Sequence, residues 1–356
     1  MKEYRNILVI NLKHIGDVLV ATPVLRALKE ACPEGSLSVL VDKGTEDMVT
    51  FNSAVDEVMV LDRAENANFL SRIFRQVIFT LKLRRKKFDL VLELSAGDRG
   101  AFLGFVTGAK ERIGFEPNKR TFLGRHHAFT KLVKISTTTQ HMVDYNLALV
   151  RALGIEPPDK SLSIFWSERD SKACVRLLSE RGLGEDRPYV VLHPTSRWLF
   201  KTWNSRGYAL LCDYIAEKHK LSIVVTSASD EKEKKRVNEI LALANSRPID
   251  LSGMLSLKQL AYCISRSILF VGIDSAPMHI AAAVNTPVIA LFGPSGDHMW
   301  GPWGNGHIVI KKGWDCQPCG RDGCDGSKVS QCLEAITPEE VYQAVDEKLK
   351  GITRCD

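Results

Sequence analysis

From Arg5 onward the chain alternates two hydrophobic rhythms. Short, nearly continuous apolar runs, as expected of strands buried on both faces, are followed by longer stretches whose apolar positions recur three and four apart, as expected of helices packed on a sheet. The runs predict strands at 5–12, 37–41, 58–61, 88–94 and 112–115, then at 189–192, 221–226, 268–271 and 288–292. The helical pattern covers 18–31, 66–85, 140–153, 171–181, 208–218, 231–244, 256–265, a short Ala-rich stretch after Ser275, and 338–349. Gly154 stands where a helix C-cap belongs, and Thr337-Pro338 is an N-cap followed by the proline that suits a first helical position. This order predicts an α/β protein with parallel sheets and helices on both faces.

The alternation breaks once, at Ile155-Glu156-Pro157-Pro158-Asp159-Lys160, where two prolines follow a helix stop, and then restarts. The expected division is an N-terminal Rossmann-like domain over 1–154, a linker over 155–166, a second Rossmann-like domain over 167–336 and a terminal helix and tail over 337–356. Two such halves facing a central cleft would bind ligands at the carboxyl ends of their strands.

Composition narrows the class. At 356 residues and 45% hydrophobic content the chain has the balance of a globular protein of two domains. No apolar run approaches the roughly 20 residues of a membrane span, and the first residues enter a strand directly, so a cytoplasmic protein is expected. The formal net charge of +6 is uneven: residues 82–134 hold 13 Lys or Arg against 5 Asp or Glu. Lys82, Arg84, Arg85, Lys86 and Lys87 form one cluster, and Arg112, Lys119, Arg120 and Arg125 another. A phosphorylated substrate, an anionic lipid surface or a solvated helix end each account for such a window. No nucleic-acid motif accompanies it, so nucleic acid is not an expected partner.

Four segments carry candidate chemistry. In Asn11-Leu12-Lys13-His14-Ile15-Gly16-Asp17, a strand ends and Asp17 stands near a helix start, where it either caps the helix or accepts a proton from a substrate hydroxyl. In His193-Pro194-Thr195-Ser196 through Lys201 to Trp203, two hydroxyls can donate to phosphate oxygens. Lys201 can neutralise a phosphate leaving group, and Trp203 can pack in the core beside it; an ordinary surface loop is the other reading. In Val271-Gly272-Ile273-Asp274-Ser275-Ala276-Pro277-Met278-His279, a strand turns into a helix whose first N–H groups suit an anion. Asp274 and Ser275 add oxygens there, Ala276 permits close approach and His279 lies one turn on; a plain capped helix start is the alternative. Cys316, Cys319, Cys324 and Cys332, four of nine cysteines, have a spacing that could surround one structural zinc ion or remain free thiols.

Taken in order, these segments resemble the ADP-heptose:lipopolysaccharide heptosyltransferases, glycosyltransferase family 9. The resemblance spans nearly the whole chain. It includes Gly16-Asp17 with Thr22-Pro23, Arg112-Ile113-Gly114-Phe115, Lys201-x-Trp203, Asp274-Ser275-Ala276-x-x-His279 and Leu291-Phe292-Gly293-Pro294. Trp300 and Trp303, together with Asp274-Ser275-Ala276-Pro277, are most similar to the heptosyltransferase III branch. The resemblance implies a GT-B fold and inverting transfer of L-glycero-D-manno-heptose from ADP-heptose, with no metal required for chemistry. The N-terminal domain would take the lipid-linked inner core, with Arg112, Arg120 and Arg125 toward its phosphates, at the cytoplasmic face of the inner membrane. Asp17 would be the general base. Lys201, Thr195 and Ser196 would meet the diphosphate; Asp274, Ser275, Ala276 and His279 would form the donor loop; and Glu231, with Glu233 close by, would face the adenosine ribose. Two other readings stay open: a transferase of this fold with another nucleotide sugar or acceptor, and a non-enzymatic nucleotide-binding module, against which the presence of both Asp17 and Lys201 argues.

Overall fold

In a computed structural model the chain forms two compact units, Met1–Phe165 and Trp166–Asp356. The structure describes residues 3–63, 68–116, 125–135 and 140–352, the side chains of 69–72, 125, 351 and 352 apart. Unit one runs β1 (Asn6–Asn11), α1 (Ile15–Leu19), α2 (Thr22–Ala31), β2 (Ser36–Asp42), β3 (Glu57–Leu61), α3 (Phe69–Arg85), β4 (Leu90–Glu93), α4 (Asp98–Val106), β5 (Glu111–Phe115), β6 (Lys131–Val133) and α5 (Met142–Arg151). Unit two runs α6 (Glu168–Glu180), β7 (Tyr189–His193), α7 (Ser205–His219), β8 (Ser222–Val225), α8 (Glu231–Leu243), β9 (Ile249–Asp250), α9 (Leu257–Ser265), β10 (Leu269–Ile273), α10 (Ala276–Ala283), β11 (Val288–Leu291), α11 (Asp297–Trp300), β12 (Ile308–Ile310), α12 (Gln331–Glu334) and α13 (Pro338–Ile352).

Each unit holds one six-stranded parallel sheet, ordered β3-β2-β1-β4-β5-β6 in the first and β12-β11-β10-β7-β8-β9 in the second. Counted within its own unit, each is the doubly wound order 3-2-1-4-5-6. Ile7 aligns with Leu37 on one side and Leu90 on the other; Phe270 aligns with Val191 and Val288. Ile7–Ile10 and the whole of β7 and β10 are buried, because helices cover both faces of the sheets.

Where the sequence pattern and the structure differ, local chemistry explains it. The helix expected over 18–31 is two helices, broken at Val20-Ala21 ahead of Pro23, which has no N–H to continue the first ladder. The Thr22 hydroxyl donates instead to the Leu19 carbonyl at 2.8 Å. Gly16 and Asp17 therefore lie inside α1, and His14 is its N-cap. Helix α4 escapes the periodicity because Gly100 and Gly104 replace apolar positions. A Cβ at Gly100 would stand 2.2 Å from Glu93 Oε1, so glycine is what lets α4 close on β4. The segment after Gly154 is no free connector. Leu162 and Ile164 are buried, the Ser163 N–H donates to Thr22 Oγ1 at 3.1 Å, and Lys160 pairs with Asp144 at 3.1 Å, all within unit one.

Reciprocal capping boxes start α6 (Ser167 with Asp170) and α9 (Ser256 with Gln259), and Thr337 with Glu340 bonds both ways at the start of α13. Helix α13 puts Val341, Val345 and Leu349 into the unit-two core beside Trp203. Trp203 is fully buried, donates through Nε1 to the Ile336 carbonyl at 2.9 Å and meets Tyr208 edge-on. Its ring lies over Gly207, where a Cβ would fall 2.4 Å from Cζ2.

In an open helix Gly207→Ala would stabilise by up to about 1 kcal/mol, but overpacking a core costs about 1–3 kcal/mol. The contact with Trp203 decides the sign, so chemical denaturation should show the variant less stable than wild type. A variant as stable as wild type, or more so, would show that the ring does not press on this glycine.

Candidate active site

In a sheet of order 3-2-1-4 the chain reverses direction across the sheet between its first and fourth strands, and the loops leaving those strands diverge to open a crevice at their carboxyl ends. In unit one these strands are β1 and β4; in unit two they are β7 and β10. Asp17 follows β1 in unit one; Thr195, Ser196 and Lys201 follow β7, and Asp274, Ser275 and Ala276 follow β10, in unit two.

In unit one the loop leaving β1 is tied to the loop leaving β4 by the Leu12 N–H, which donates to Ser95 Oγ at 2.7 Å. Asn11, at the last position of β1, is buried and donates through Nδ2 to the Asp17 carbonyl at 3.1 Å, holding the first turn of α1 against the strand end. The Asp17 carboxylate keeps about a sixth of its surface open and lies 3.7 Å from Lys13 Nζ. The motif Asn11–Asp17 drew attention to the carboxylate alone; the Asn11 tether and the Lys13 partner emerge only from the fold.

Arg112 is less available than its sequence neighbourhood suggested. Its Nε donates to the Ala128 carbonyl at 2.6 Å, its Nη1 to the Ala109 carbonyl, and its guanidinium lies over the Phe105 ring. It ties β5 to its surroundings. Arg120, and the side chain of Arg125, lie outside the described residues.

In unit two the crevice between β7 and β10 is bridged by one ion pair, Lys201 Nζ to Asp274 Oδ2 at 2.6 Å. Lys201 follows β7 and Asp274 follows β10, and burial of Trp203 two residues on anchors the lysine's loop. Ser275 is the N-cap of α10 yet makes no side-chain bond to the helix's first N–H groups, and Pro277 has none to offer. That leaves the Ala276 amide end of the helix available to an anion. His279 is buried on the next turn, edge-on to Trp300.

Thr195 and Ser196 are not idle donors. Thr195 Oγ1 donates to Glu233 Oε2 at 2.8 Å, and Ser196 Oγ donates to the Trp198 carbonyl at 3.0 Å while accepting from the Trp198 N–H. The two neighbouring glutamates on α8 are thereby separated. Glu233 is buried and braces Thr195, whereas Glu231 is exposed at the start of α8 and paired with Lys234 at 2.5 Å. Sequence spacing alone could not separate them, because both lie in the helix's first turn.

His193 closes β7 beneath this loop. It is buried, shares a hydrogen bond with Thr226 Oγ1 at 2.9 Å, and burial pushes its imidazole down to about 4.

The four late cysteines, expected either to surround one zinc ion or to remain free thiols, sit in different surroundings. Cys316 and Cys319 are exposed, Cys324 is half-buried and Cys332 is buried next to Gly293. Burial, with Cys324 and Cys319 nearby, raises the Cys332 thiol. Among the described residues no three His, Cys, Asp or Glu side chains converge so as to hold a metal ion. No helix among them is long and apolar enough to cross a membrane.

With this geometry in place, comparison with known proteins decides the family. The family model for glycosyltransferase family 9 (heptosyltransferase) matches residues 78–329. This chain belongs to glycosyltransferase family 9. It is 30% identical over 341 residues to lipopolysaccharide heptosyltransferase 3 of Escherichia coli, covering 95% of this chain and 97% of that one. A family 9 glycosyl transferase from Veillonella parvula superposes with a TM-score of 0.85 at 24% identity, covering 99% of both chains. The E. coli ADP-heptose lipopolysaccharide heptosyltransferase II superposes at 0.78 and 22% identity, covering 98% of this chain and 99% of that one. The fold is thus of the GT-B class, and the protein is a glycosyltransferase by family.

His193 makes stability pH-dependent in a defined window. Unfolded, it takes a proton near 6.5; folded, it resists until about 4. Its contribution is therefore complete above pH 6.5 and is lost as pH falls, by up to about 1.4 kcal/mol per pH unit and about 3 kcal/mol by pH 4. Denaturation of wild type and His193→Gln at pH 7, 6 and 5 should show a shallower pH slope in the variant. Parallel slopes would mean that the imidazole is not held neutral.

Proposed function

We propose that this protein transfers L-glycero-D-manno-heptose from ADP-heptose to the lipopolysaccharide inner core, with inversion at the anomeric carbon, at the cytoplasmic face of the inner membrane. The observation that carries the reading is the Lys201–Asp274 pair at the unit-two switch point, beside the amide end of α10. A leaving diphosphate needs a cation and oriented N–H groups there, and both are in place. The names of the relatives supply the sugar, the nucleotide and the acceptor class.

The chemistry follows from the chain's own groups. The acceptor hydroxyl oxygen forms a bond to the anomeric carbon as the carbon–oxygen bond to the diphosphate breaks, and ADP leaves with that electron pair. Asp17 takes the hydroxyl proton, and no covalent sugar–enzyme bond is required. Lys201 shifts its charge from Asp274 toward the β-phosphate as negative charge develops there. Ser275, Ala276 and His279 line the donor loop, Glu231 reaches the ribose hydroxyls, and the backbone of Thr195-Ser196 approaches the diphosphate while Glu233 fixes the loop. Arg120 and Arg125 meet phosphates of the acceptor, and Arg112 braces β5.

Asp17→Asn should fold and bind ADP as wild type does, while turnover of ADP-heptose on a truncated lipopolysaccharide acceptor falls about 10²–10⁴-fold. Near wild-type turnover would remove Asp17 from the base role.

Lys201→Ala should lower kcat/KM by about 10²–10³-fold, the size of losing one preorganised group at a developing charge. An unchanged kcat/KM with ADP-heptose would refute the diphosphate assignment. Activity of wild type with a different nucleotide sugar, and none with ADP-heptose, would favour a related transferase of other specificity.

A further inference from the structure

Helix α3 is built against the usual rule for a surface helix. One side is held by the core: Leu83 is fully buried and Phe79 packs beside it among Phe88 and Leu103. The opposite side should be polar. Instead Ile73, Phe74, Val77, Ile78 and Leu81 stand 46–66% exposed. At 100° per residue these positions fall in one arc of the helix, so they form a continuous apolar stripe facing water.

The charges around the stripe have one sign. No acidic residue occurs from 66 to 88, a stretch with seven Lys or Arg. Among the described residues Arg75, Lys82, Arg84, Arg85 and Lys87 are exposed and make no ion pair, whereas Lys86 is taken up by Glu57. By helical angle, Arg84 and Arg85 continue the apolar arc at its C-terminal end, and Lys82 and Arg75 border one side of it. Helix α4 packs beside α3 and adds two further exposed aromatic residues, Phe102 and Phe105.

We propose that the outer face of α3 docks unit one onto an anionic lipid bilayer, with the apolar stripe entering the headgroup–acyl boundary and Arg75, Lys82, Arg84 and Arg85 meeting lipid phosphates. The composition of the face selects the occupant. A protein partner would need acidic groups to match a rim of unpaired cations around a narrow stripe; an anionic leaflet offers phosphate and hydrocarbon together along the length of the helix. The purpose of this contact rests on the lipid-linked acceptor proposed above, but the binding does not depend on it.

The test uses the full chain and sedimentation with vesicles of pure phosphatidylcholine or with roughly 30 mol% phosphatidylglycerol. Wild type should bind the anionic vesicles at least about tenfold more tightly, and added salt should weaken that binding. Phe74→Glu/Ile78→Glu changes only exposed positions and should leave the thermal melt unaltered while abolishing binding to both vesicles. Arg84→Gln/Arg85→Gln should lose only the anionic preference, roughly fivefold for each charge removed. Equal vesicle binding by wild type and Phe74→Glu/Ile78→Glu would overturn the proposal. So would a dimer of wild type in ultracentrifugation, without lipid, that the same variant dissolves, since the stripe would then be a protein interface. Turnover on a deacylated, water-soluble acceptor separates the two readings. If wild type binds vesicles but fails there, the transferase assignment falls and the docking face stands.

Discussion

The molecule's chemistry depends on one topological constraint: a parallel sheet in which the first strand lies between the second and the fourth. To return from the third strand to the fourth, the chain must cross to the other side of the first, and no loop can cover the gap left at the carboxyl ends. In unit two that gap lies between β7 and β10, and Lys201 and Asp274 reach across it from opposite sides. In unit one it lies between β1 and β4, where Asn11, Asp17 and Ser95 gather. Buried strands set where the gap opens, and each loop then adds one or two polar groups.

Those polar groups are held by partners that have no chemistry of their own. Trp203 fixes the lysine's loop through a buried indole bonded to Ile336, and Gly207 is the consequence of fitting that ring under α7. Glu233 spends its carboxylate on Thr195, and Asn11 spends its amide on the Asp17 carbonyl. Reactive positions in loops gain precision from such braces, since a loop alone fixes a side chain poorly.

The sequence made much of this legible. The apolar runs located the central strands, because a strand buried on both faces has no polar positions to blur the pattern. The motif order singled out Asp17, Lys201 and Asp274, which the fold sets at the carboxyl ends of β1, β7 and β10. Three things stayed hidden for physical reasons. The edge strands β6, β9 and β12 have two or three residues each, too few for any periodicity. Helix α4 uses glycines for close approach, which weakens both propensity and pattern. The contrast between Glu231 and Glu233 depends on which side of α8 meets the Thr195 loop, a tertiary fact. The cysteine spacing satisfies a zinc ligand count, and only the fold shows that Cys332 is buried while Cys316 and Cys319 are exposed.

The Lys201–Asp274 pair also separates stability from function. A largely buried ion pair adds little net stability, because desolvating both charges offsets most of their attraction, while removing one partner strands the other. In the core of the same unit Trp203, Tyr208 and Phe270 are fully buried. What the pair does provide is a cation held in place without being neutralised irreversibly. Asp274 holds the lysine at the crevice, and in the proposed reaction a diphosphate, which carries more negative charge than one carboxylate, takes over the ammonium. Asp17 follows the same logic with opposite sign. Lys13 stands 3.7 Å away, close enough to balance its charge but outside hydrogen-bond range. In both units the charged group rests against one partner of opposite sign, so the fold carries each charge without leaving it uncompensated.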